Sequence, residues 1–470
     1  MQETMTGSAS PEPGAPAGAA VRPLRRVGMI TAAGLVVASM VGTGVFTTTG
    51  FLAADIPSPV AILLCWAFGG VAAWCGAVSF AELGAALPDN GGEYRFISSL
   101  VHPAVGFASA LCSFVVGFAA PLAMMAHAFG KYLVAAWFPA AEVAGAPPPA
   151  VGFAPEIAGA LLIVLVSLVH MGGMKGGSRF QNAATAGKVL LILAFIVIGI
   201  VKGDASYLAA PGPEPLWRTL LSPAFAMSLM WVSFSYSGWN AAAYLAGEIE
   251  RPARVLPAAT LLGTLAVAAL YVALNAVFLA SAPLSSLAGV EAVADASAKS
   301  LLGDAGGRFV SVLIALGLVS TVGALVVTGP RIYAALAEDM PRLRLLAWRD
   351  PERGPRVAIA LQTAVALVLL WTSSFEALLS YVGFTLSIFA AIGVGCVFVL
   401  RHRRKHVARP YRMPLYPLPP LLFIALMLWT VVQAVRAKPL VVVAGLGTVV
   451  LGVVLYLVTR QAPPGPARST

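Results

Sequence analysis

Charged side chains are scarce in this chain. Asp, Glu, Lys and Arg make up only 11% of its 470 residues, against about 25% in an average soluble domain. Disordered scaffolds and nucleic-acid modules need many charges, and most soluble enzymes need a polar surface. The scarcity argues against those three classes. The hydrophobic share of 59% and the mean hydropathy of +0.87 indicate a membrane interior instead.

The chain also lacks patterns that carry chemistry. Its four cysteines (Cys65, Cys75, Cys112 and Cys396) all lie inside apolar runs, without metal-ligand or secreted-disulfide spacing. HExxH, GxSxG and GxxxxGK[ST] patterns are missing, and so are paired membrane aspartates. We therefore expect no enzyme activity, no metal, no cofactor and no ATP-driven step. A channel is also disfavoured, because filters are usually assembled from repeated subunits.

Long apolar runs are abundant. A bilayer core needs ~20 apolar residues per helix, and by that rule the chain holds about twelve spans. The sequence predicts an all-α membrane protein, with spans centred near Val37, Phe68, Val115, Leu165, Leu193, Trp231, Val267, Ile314, Val365, Phe389, Ile424 and Val449.

Lys and Arg gather in alternate loops, most densely over 331–356 and 401–412. By the positive-inside rule, these loops and both termini are cytoplasmic in a multi-pass protein of the plasma membrane. The net charge of +10 is then explained by the placement of basic loops on the cytoplasmic side, and we expect no nucleic-acid partner. The basic run 401–412 is expected to lie beside anionic lipid. The sequence also predicts two cytoplasmic tails, a disordered N-terminal tail over 1–24 and a C-terminal tail over 461–470.

Two spans are interrupted by glycine and small polar residues. The first contains MVGTGVF (40–46) and the sixth contains FSYSGWN (234–240). Taken alone, the first pattern fits close helix packing and the second a polar seam. Interruptions in corresponding spans of two halves indicate a transporter site. Free N–H groups there suit a carboxylate and free carbonyls an ammonium, so an amino acid is the simplest solute.

Several ordered strings resemble the amino acid–polyamine–organocation superfamily, most closely its L-type and bacterial neutral amino acid transporters. They are MVGTGVF (40–46), SFAELGAALPDNGGEYRF (79–96), AGK (186–188), FSYSGWNAAAYLAGEIERPARVLPAA (234–259) and GPRIYAALAEDMP (329–341). The resemblance implies an inverted repeat of five plus five helices, with discontinuous helices 1 and 6. The repeats would cover 25–203 and 218–400, followed by a basic loop and two peripheral helices over 401–460.

The resemblance also implies a substrate site. The N–H groups of Thr43 and Gly44 and the Thr43 hydroxyl would hold the carboxylate. Carbonyls of Met40, Phe234, Ser235 and Ser237 would hold the ammonium, and Phe234 would close the site from outside. Trp239 and Asn240 would line the side-chain region or support the unwound segment. The remaining residues of the predicted site are Val41, Gly42 and Gly238.

Two charged residues receive separate roles. Lys188 lies in an apolar run, where it either snorkels to the interface or acts in transport. The resemblance implies the second: an ammonium in the region of a sodium site, contacting the first helix, as a fixed strut or a proton carrier. Transport would then be sodium-independent. Glu82 is interpreted as an inner-gate or interfacial carboxylate that pairs with a loop Arg.

The central thirds of the core spans contain no acidic residue, which favours neutral substrates. The predicted function is secondary active transport of neutral L-amino acids by alternating access, as an exchanger or a proton symporter. A carrier of cationic amino acids, polyamines or amines is the alternative. The loop GAPPP (145–149) has no cysteine, so we expect no disulfide-linked heavy subunit and a monomer or weak homodimer.

Overall fold

The computed structural model describes residues 27–88, 91–137, 155–172, 177–339 and 355–459. Within these ranges the regular elements are helices, and one isolated parallel bridge joins Val27 to Ile249. The helices are α1 (Met29–Met40), α2 (Gly44–Asp55), α3 (Pro59–Ala86), α4 (Gly92–Leu100), α5 (Pro103–Cys112), a π-helical turn (Ser113–Ala119), α6 (Ala120–Trp137), α7 (Pro155–Met171), α8 (Gly177–Lys202), α9 (Ala205–Leu208), α10 (Leu216–Leu220), α11 (Pro223–Ser235), α12 (Ala241–Tyr244), α13 (Pro252–Ser281), α14 (Leu284–Leu287), α15 (Val293–Asp339), α16 (Arg356–Thr372), α17 (Phe375–Arg403), α18 (Leu418–Ala437) and α19 (Pro439–Thr459).

Local sequence explains where many helices begin. Ser58 and Ser222 each precede a proline at the first helical position, and each hydroxyl accepts a hydrogen bond from a backbone N–H in the first turn. Proline is suited to that position because its ring fixes φ and the missing N–H would have no helical partner. These caps place the starts of α3 and α11.

Nine helical stretches of the described residues are long and apolar enough to cross a membrane. Three shorter apolar helices, α7, α11 and α16, accompany them. Each of the predicted span centres lies in one of these helices, so the hydropathy reading of an all-α membrane protein is confirmed. The predicted tails (1–24 and 461–470) and the loop 145–149 lie outside the described residues.

Both predicted helix breaks are present. The first span divides between Met40 and Gly44, and the sixth divides between Ser235 and Ala241. Gly238 has φ +103°, a backbone conformation that residues with a Cβ rarely adopt. The prediction of discontinuous helices 1 and 6 is therefore confirmed.

Two further irregularities were not predicted from sequence. The third span contains the π-helical turn, and α15 bends at Gly303, where φ is +75°. A π turn is a single-turn insertion that often lies beside functional elements.

The broken helices lie inside the bundle and the last helices lie outside it. α1 and α3 both pack against α13, and α11 packs against α2, α3 and α17. By contrast, most of α19 is not buried in the protein, and Leu440 and Val443 are exposed along it. An apolar surface of this kind suits lipid. The arrangement keeps the broken segments away from hydrocarbon, where unpaired backbone groups would be costly.

Candidate functional site

The two breaks contact each other directly. A Cβ built on Gly44 would lie 2.4 Å from Ser235 Oγ, and one on Gly238 would lie 2.7 Å from the backbone of Ser39. The hydroxyls of Thr48 and Ser235 are 2.9 Å apart and hydrogen-bonded. Glycine is needed at both positions because the two backbone segments approach more closely than a side chain allows.

The start of α2 presents unpaired backbone donors. Among the described residues, the N–H groups of Thr43, Gly44 and Val45 make no backbone hydrogen bond, whereas Phe46 N–H donates to the Thr43 carbonyl at 2.9 Å. Thr43 itself is buried, with 2% of its surface exposed. Donors at a buried helix N-terminus also carry the positive end of the helix dipole. This end of the site can accept an anionic group.

The four carbonyls predicted to bind an ammonium differ in availability. Met40 O accepts from Tyr271 Oη at 2.6 Å and from a backbone N–H, and Phe234 O accepts from Ser237 N at 2.8 Å. The carbonyls of Ser235 and Ser237 accept no backbone hydrogen bond within the described chain. Because α11 ends at Ser235, its negative dipole end lies here. The structure therefore brings a cation-attracting end beside the anion-attracting one.

Phe234 and Trp239 of the sixth span differ in what their rings contact. Phe234 is 9% exposed and lines a cavity behind the break together with Asn240. The Trp239 ring also lines that cavity but packs edge-on against Phe80 and Phe423, with centroids 5.0 and 5.9 Å away. Of the two roles predicted for Trp239, these contacts favour support of the unwound segment.

Lys188 extends from α8 to the first break. Its Nζ donates to the Val41 carbonyl at 3.1 Å and to Thr321 Oγ1 at 2.9 Å, and only 5% of the residue is exposed. The contact with the first helix matches the expectation, and in this conformation the side chain does not snorkel. The ammonium is therefore held between the Val41 carbonyl at the end of α1 and the Thr321 hydroxyl of α15.

Glu82 lies fully buried near the end of α3 on the side of the N-terminus. Arg401 donates two hydrogen bonds to its carboxylate, at 2.8 and 2.6 Å, and Met413 N donates a third at 2.8 Å. The guanidinium also stacks on the Tyr416 ring, 3.7 Å from the centroid. A pairing with a loop arginine was expected, and the partner in the structure is Arg401. The burial, with Arg401 still in the last turn of α17, was not expected.

Sequence reasoning missed the polar side chains that surround the breaks. Tyr132 Oη donates to Phe46 O at 2.7 Å, and Tyr236 Oη donates to Trp66 O at 3.0 Å. Thr49 is hydrogen-bonded to Asn275 and accepts from Trp66 Nε1 at 3.0 Å. A lone amide such as Asn275 within the apolar run of α13 was the available signal, since buried polar groups require partners.

A buried carboxylate was also missed. Glu93, in the first turn of α4, is 8% exposed and lines a cavity of about 80 Å³. The cavity reaches Ser237 and Asn240 of the sixth-span break. Glu93 lies between spans in sequence, so a search for acids within the spans passes over it. In the described residues no group of three side chains is arranged to hold a metal ion.

Paired broken helices at the centre of a membrane-crossing bundle define a class of transporters built around discontinuous helices. The family model described as "Amino acid permease" matches residues 27–455. The chain therefore belongs to the amino acid permease family, within the superfamily that its motifs resemble. It is a multi-pass membrane transporter and not an enzyme.

Curated relatives agree with this placement. The serine/threonine exchanger SteT of Bacillus subtilis (strain 168) is 27% identical over 405 residues, which cover 85% of this chain and 89% of that protein. The large neutral amino acids transporter small subunit 2 of Homo sapiens is 28% identical over 456 residues, or 95% of this chain and 82% of that protein. The human b(0,+)-type amino acid transporter 1 is 24% identical over 424 residues, with shares of 88% and 83%.

Proposed function

We propose that this protein moves neutral L-amino acids across the plasma membrane by alternating access, without sodium. The observation that carries the proposal is the pair of facing breaks. In the part of the chain that the structure describes, the N–H groups of Thr43 and Gly44 on one half-helix and the carbonyls of Ser235 and Ser237 on the other make no backbone hydrogen bond. A solute with a carboxylate and an ammonium close together would satisfy both ends. The relatives named as serine/threonine and neutral amino acid transporters support it.

The contacts refine the roles of the site residues. The carboxylate is assigned to the N–H groups at 43–44 and the Thr43 hydroxyl, beside Val41 and Gly42. The ammonium is assigned first to Ser235 O and Ser237 O, because Met40 O and Phe234 O already accept hydrogen bonds. Gly238 permits the close approach, while Asn240 lines the side-chain region.

Transport would open one side of this site at a time. Phe234 is assigned to the outer closure and the buried Glu82–Arg401 pair to the inner closure. On the N-terminal side, Val27 N and O also pair with Glu248 O and Glu250 N, at 3.1 and 3.0 Å. That seal would have to part before solute could leave.

The topology proposed for this cycle follows the basic loops. Both termini are placed in the cytoplasm, because the densest basic run follows α17 on the side where Val27 lies. The repeats are proposed over 25–203 and 218–400, related by an axis in the membrane plane.

Lys188 is proposed to replace a coupling cation. Its ammonium holds the Val41 carbonyl beside the break and reaches Thr321 on α15. A fixed positive charge there removes the need for sodium. Exchange and proton symport are both compatible with this arrangement.

The proposed assembly is a monomer or weak homodimer in membrane lipid. One relative is named a small subunit, but the sequence from 138 to 154 of this chain has no cysteine and all four cysteines are buried. We therefore propose that no heavy subunit is attached by a disulfide.

Uptake into proteoliposomes tests the proposal. At equal pH on both sides and without sodium, liposomes preloaded with unlabelled leucine should take up labelled leucine or alanine faster than empty liposomes do. Competition by arginine and putrescine tests the cationic alternative. Strong inhibition by those two, with none by neutral amino acids, would refute the neutral assignment.

The same vesicles show whether amino acid transport is coupled to exchange or to protons. Trans-stimulation that is unaffected by a pH gradient indicates exchange, and accumulation driven by an inward proton gradient indicates symport.

A further inference from the structure

Glu93 is a buried carboxyl group that lines a small cavity. Within the described residues its one hydrogen bond comes from Ser109 Oγ, at 3.4 Å, and it forms no ion pair. An unpaired buried carboxylate is costly, so such a group normally keeps its proton. Burial raises the pKa of Glu93 from its usual value to about 7.

Within the described residues, three titratable groups interact electrostatically with Glu93. They are Cys112 from α5, Cys396 from α17 and Tyr244 from α12. α3 contributes the Phe80 ring to the same region, beside Gly393. None of these is a cation, and each is neutral in its protonated form. The surroundings therefore favour a neutral, proton-carrying Glu93 as long as its side chain stays buried.

The cavity itself is suited to water. Its volume of about 80 Å³ exceeds the ~10–15 Å³ that one water needs in the same measure. Ser233 Oγ lines it, is buried and has no hydrogen-bond partner in the described chain. Buried hydroxyls in this position are usually satisfied by ordered water. The same cavity reaches Phe234, so waters could link Glu93 to the region of the outer closure.

The residues next to Glu93 pack against Tyr244, which belongs to α12, a helix that moves in the proposed cycle. Gly91 N donates to Tyr244 O at 3.2 Å, and a Cβ on Gly92 would lie 2.9 Å from the Tyr244 ring. Tyr244 ends α12, the second half of the broken sixth span. If α12 moves to open the N-terminal side, Glu93 meets water and its carboxylate becomes much less costly.

We propose that Glu93 is a proton-binding site of the transport cycle. Its carboxylate takes a proton from hydronium in water that enters past Phe234 from the outer side, keeps the proton while it is buried, and releases it when α12 moves away. On release the carboxyl O–H bond breaks, the proton passes to water on the cytoplasmic side and the carboxylate keeps the electron pair. The inference rests on the proposed function and chooses proton symport over pure exchange. It assigns the proton to Glu93, while Lys188 remains a fixed charge.

A cationic substrate side chain is the rival occupant of this cavity. The small volume and the closely packed glycine and alanine lining, including Gly69 and Ala73, leave little room for a lysine or arginine side chain. The geometry favours the proton.

The test combines a pH profile with a proton-flux signal. Wild-type protein is reconstituted with a pH-sensitive dye in the vesicle lumen, and leucine uptake is measured between pH 5.5 and 8.5. With a midpoint near 7, the protonated fraction falls from about 90% at pH 6 to about 10% at pH 8. We expect proton-driven uptake to fall roughly tenfold over that interval, accompanied at low pH by acidification of the lumen.

Three variants separate the explanations. Glu93→Gln should give exchange with a flat pH profile and no acidification. Ser109→Ala removes the hydroxyl that favours the carboxylate, so the midpoint should move to higher pH. Glu214→Gln, the same chemical change at an exposed loop residue, should keep the wild-type profile.

Two results would overturn the proposal. One is a pH-independent wild type that exchanges neutral amino acids without moving protons; the other is a Glu93→Gln variant with the wild-type midpoint and acidification. Should Glu93→Gln not fold, an unshifted midpoint in Ser109→Ala counts against Glu93. Arginine uptake that requires Glu93 while leucine uptake does not would support the rival occupant. A wild type that exchanges no neutral amino acid at any pH refutes the proposed function instead.

Discussion

The buried ion pair between Glu82 and Arg401 allows a quantitative prediction. Glu82 is fully buried and receives three hydrogen bonds, two of them from the Arg401 guanidinium. Arg401→Met would leave the carboxylate with the Met413 N–H as its one remaining partner. Loss of one partner from a buried pair typically costs about 3–5 kcal/mol. We expect a decrease of that size in the free energy of unfolding.

A double-mutant cycle separates this cost from other effects. Glu82→Gln combined with Arg401→Met removes both charges, so no carboxylate is left unpaired. Because a neutral amide is much less costly to bury, the double variant should recover much of the stability lost by Arg401→Met. The signature is therefore strong non-additivity between the two changes.

The measurement is reversible unfolding in mixed micelles, followed by far-ultraviolet circular dichroism, with uptake in proteoliposomes as a second readout. Lys438 and Glu376 supply a control pair on the opposite side of the bundle, with side chains 30% and 45% exposed. Lys438→Met should cost under about 1 kcal/mol, since exposed pairs are screened by water. An Arg401→Met variant that unfolds like the control would refute the reasoning.

Three further outcomes follow from the contacts at the breaks. Gly44→Ala should abolish uptake while leaving membrane insertion intact, because its Cβ would overlap Ser235; Gly34→Ala, with nothing within 4 Å, should behave as wild type in uptake and surface-labelling assays. Tyr271→Phe removes the hydrogen bond to Met40 O and should cost about 1 kcal/mol of stability, measured by thermal unfolding. Lys188→Met should fold but lose most uptake, because the Val41 carbonyl loses its cation; full activity, measured as initial rates, would show that the charge is dispensable.

Local features were readable in the sequence. Apolar runs of bilayer length determine where helices form, because a backbone in hydrocarbon must satisfy its own hydrogen bonds. Glycines and small polar residues mark breaks in any such run, so both interruptions were predictable at 40–46 and 234–240. The family resemblance pointed to Lys188 and to its contact with the first helix. The position of Glu82 at a helix end predicted that its carboxylate pairs with a loop arginine.

The partners themselves were decided by tertiary packing. Glu82 and Arg401 are 319 positions apart, and no periodicity states which of several basic residues reaches the carboxylate. Trp239 could have faced the solute or the scaffold, and only the packing of α3 and α18 turns its ring toward Phe80 and Phe423. The burial of Glu93 could not be predicted either, because its neighbours in sequence are polar while its side chain is buried in the fold. Helix formation depends on neighbours three or four residues away, whereas burial and charge pairing depend on residues hundreds of positions apart that only the folded bundle brings together.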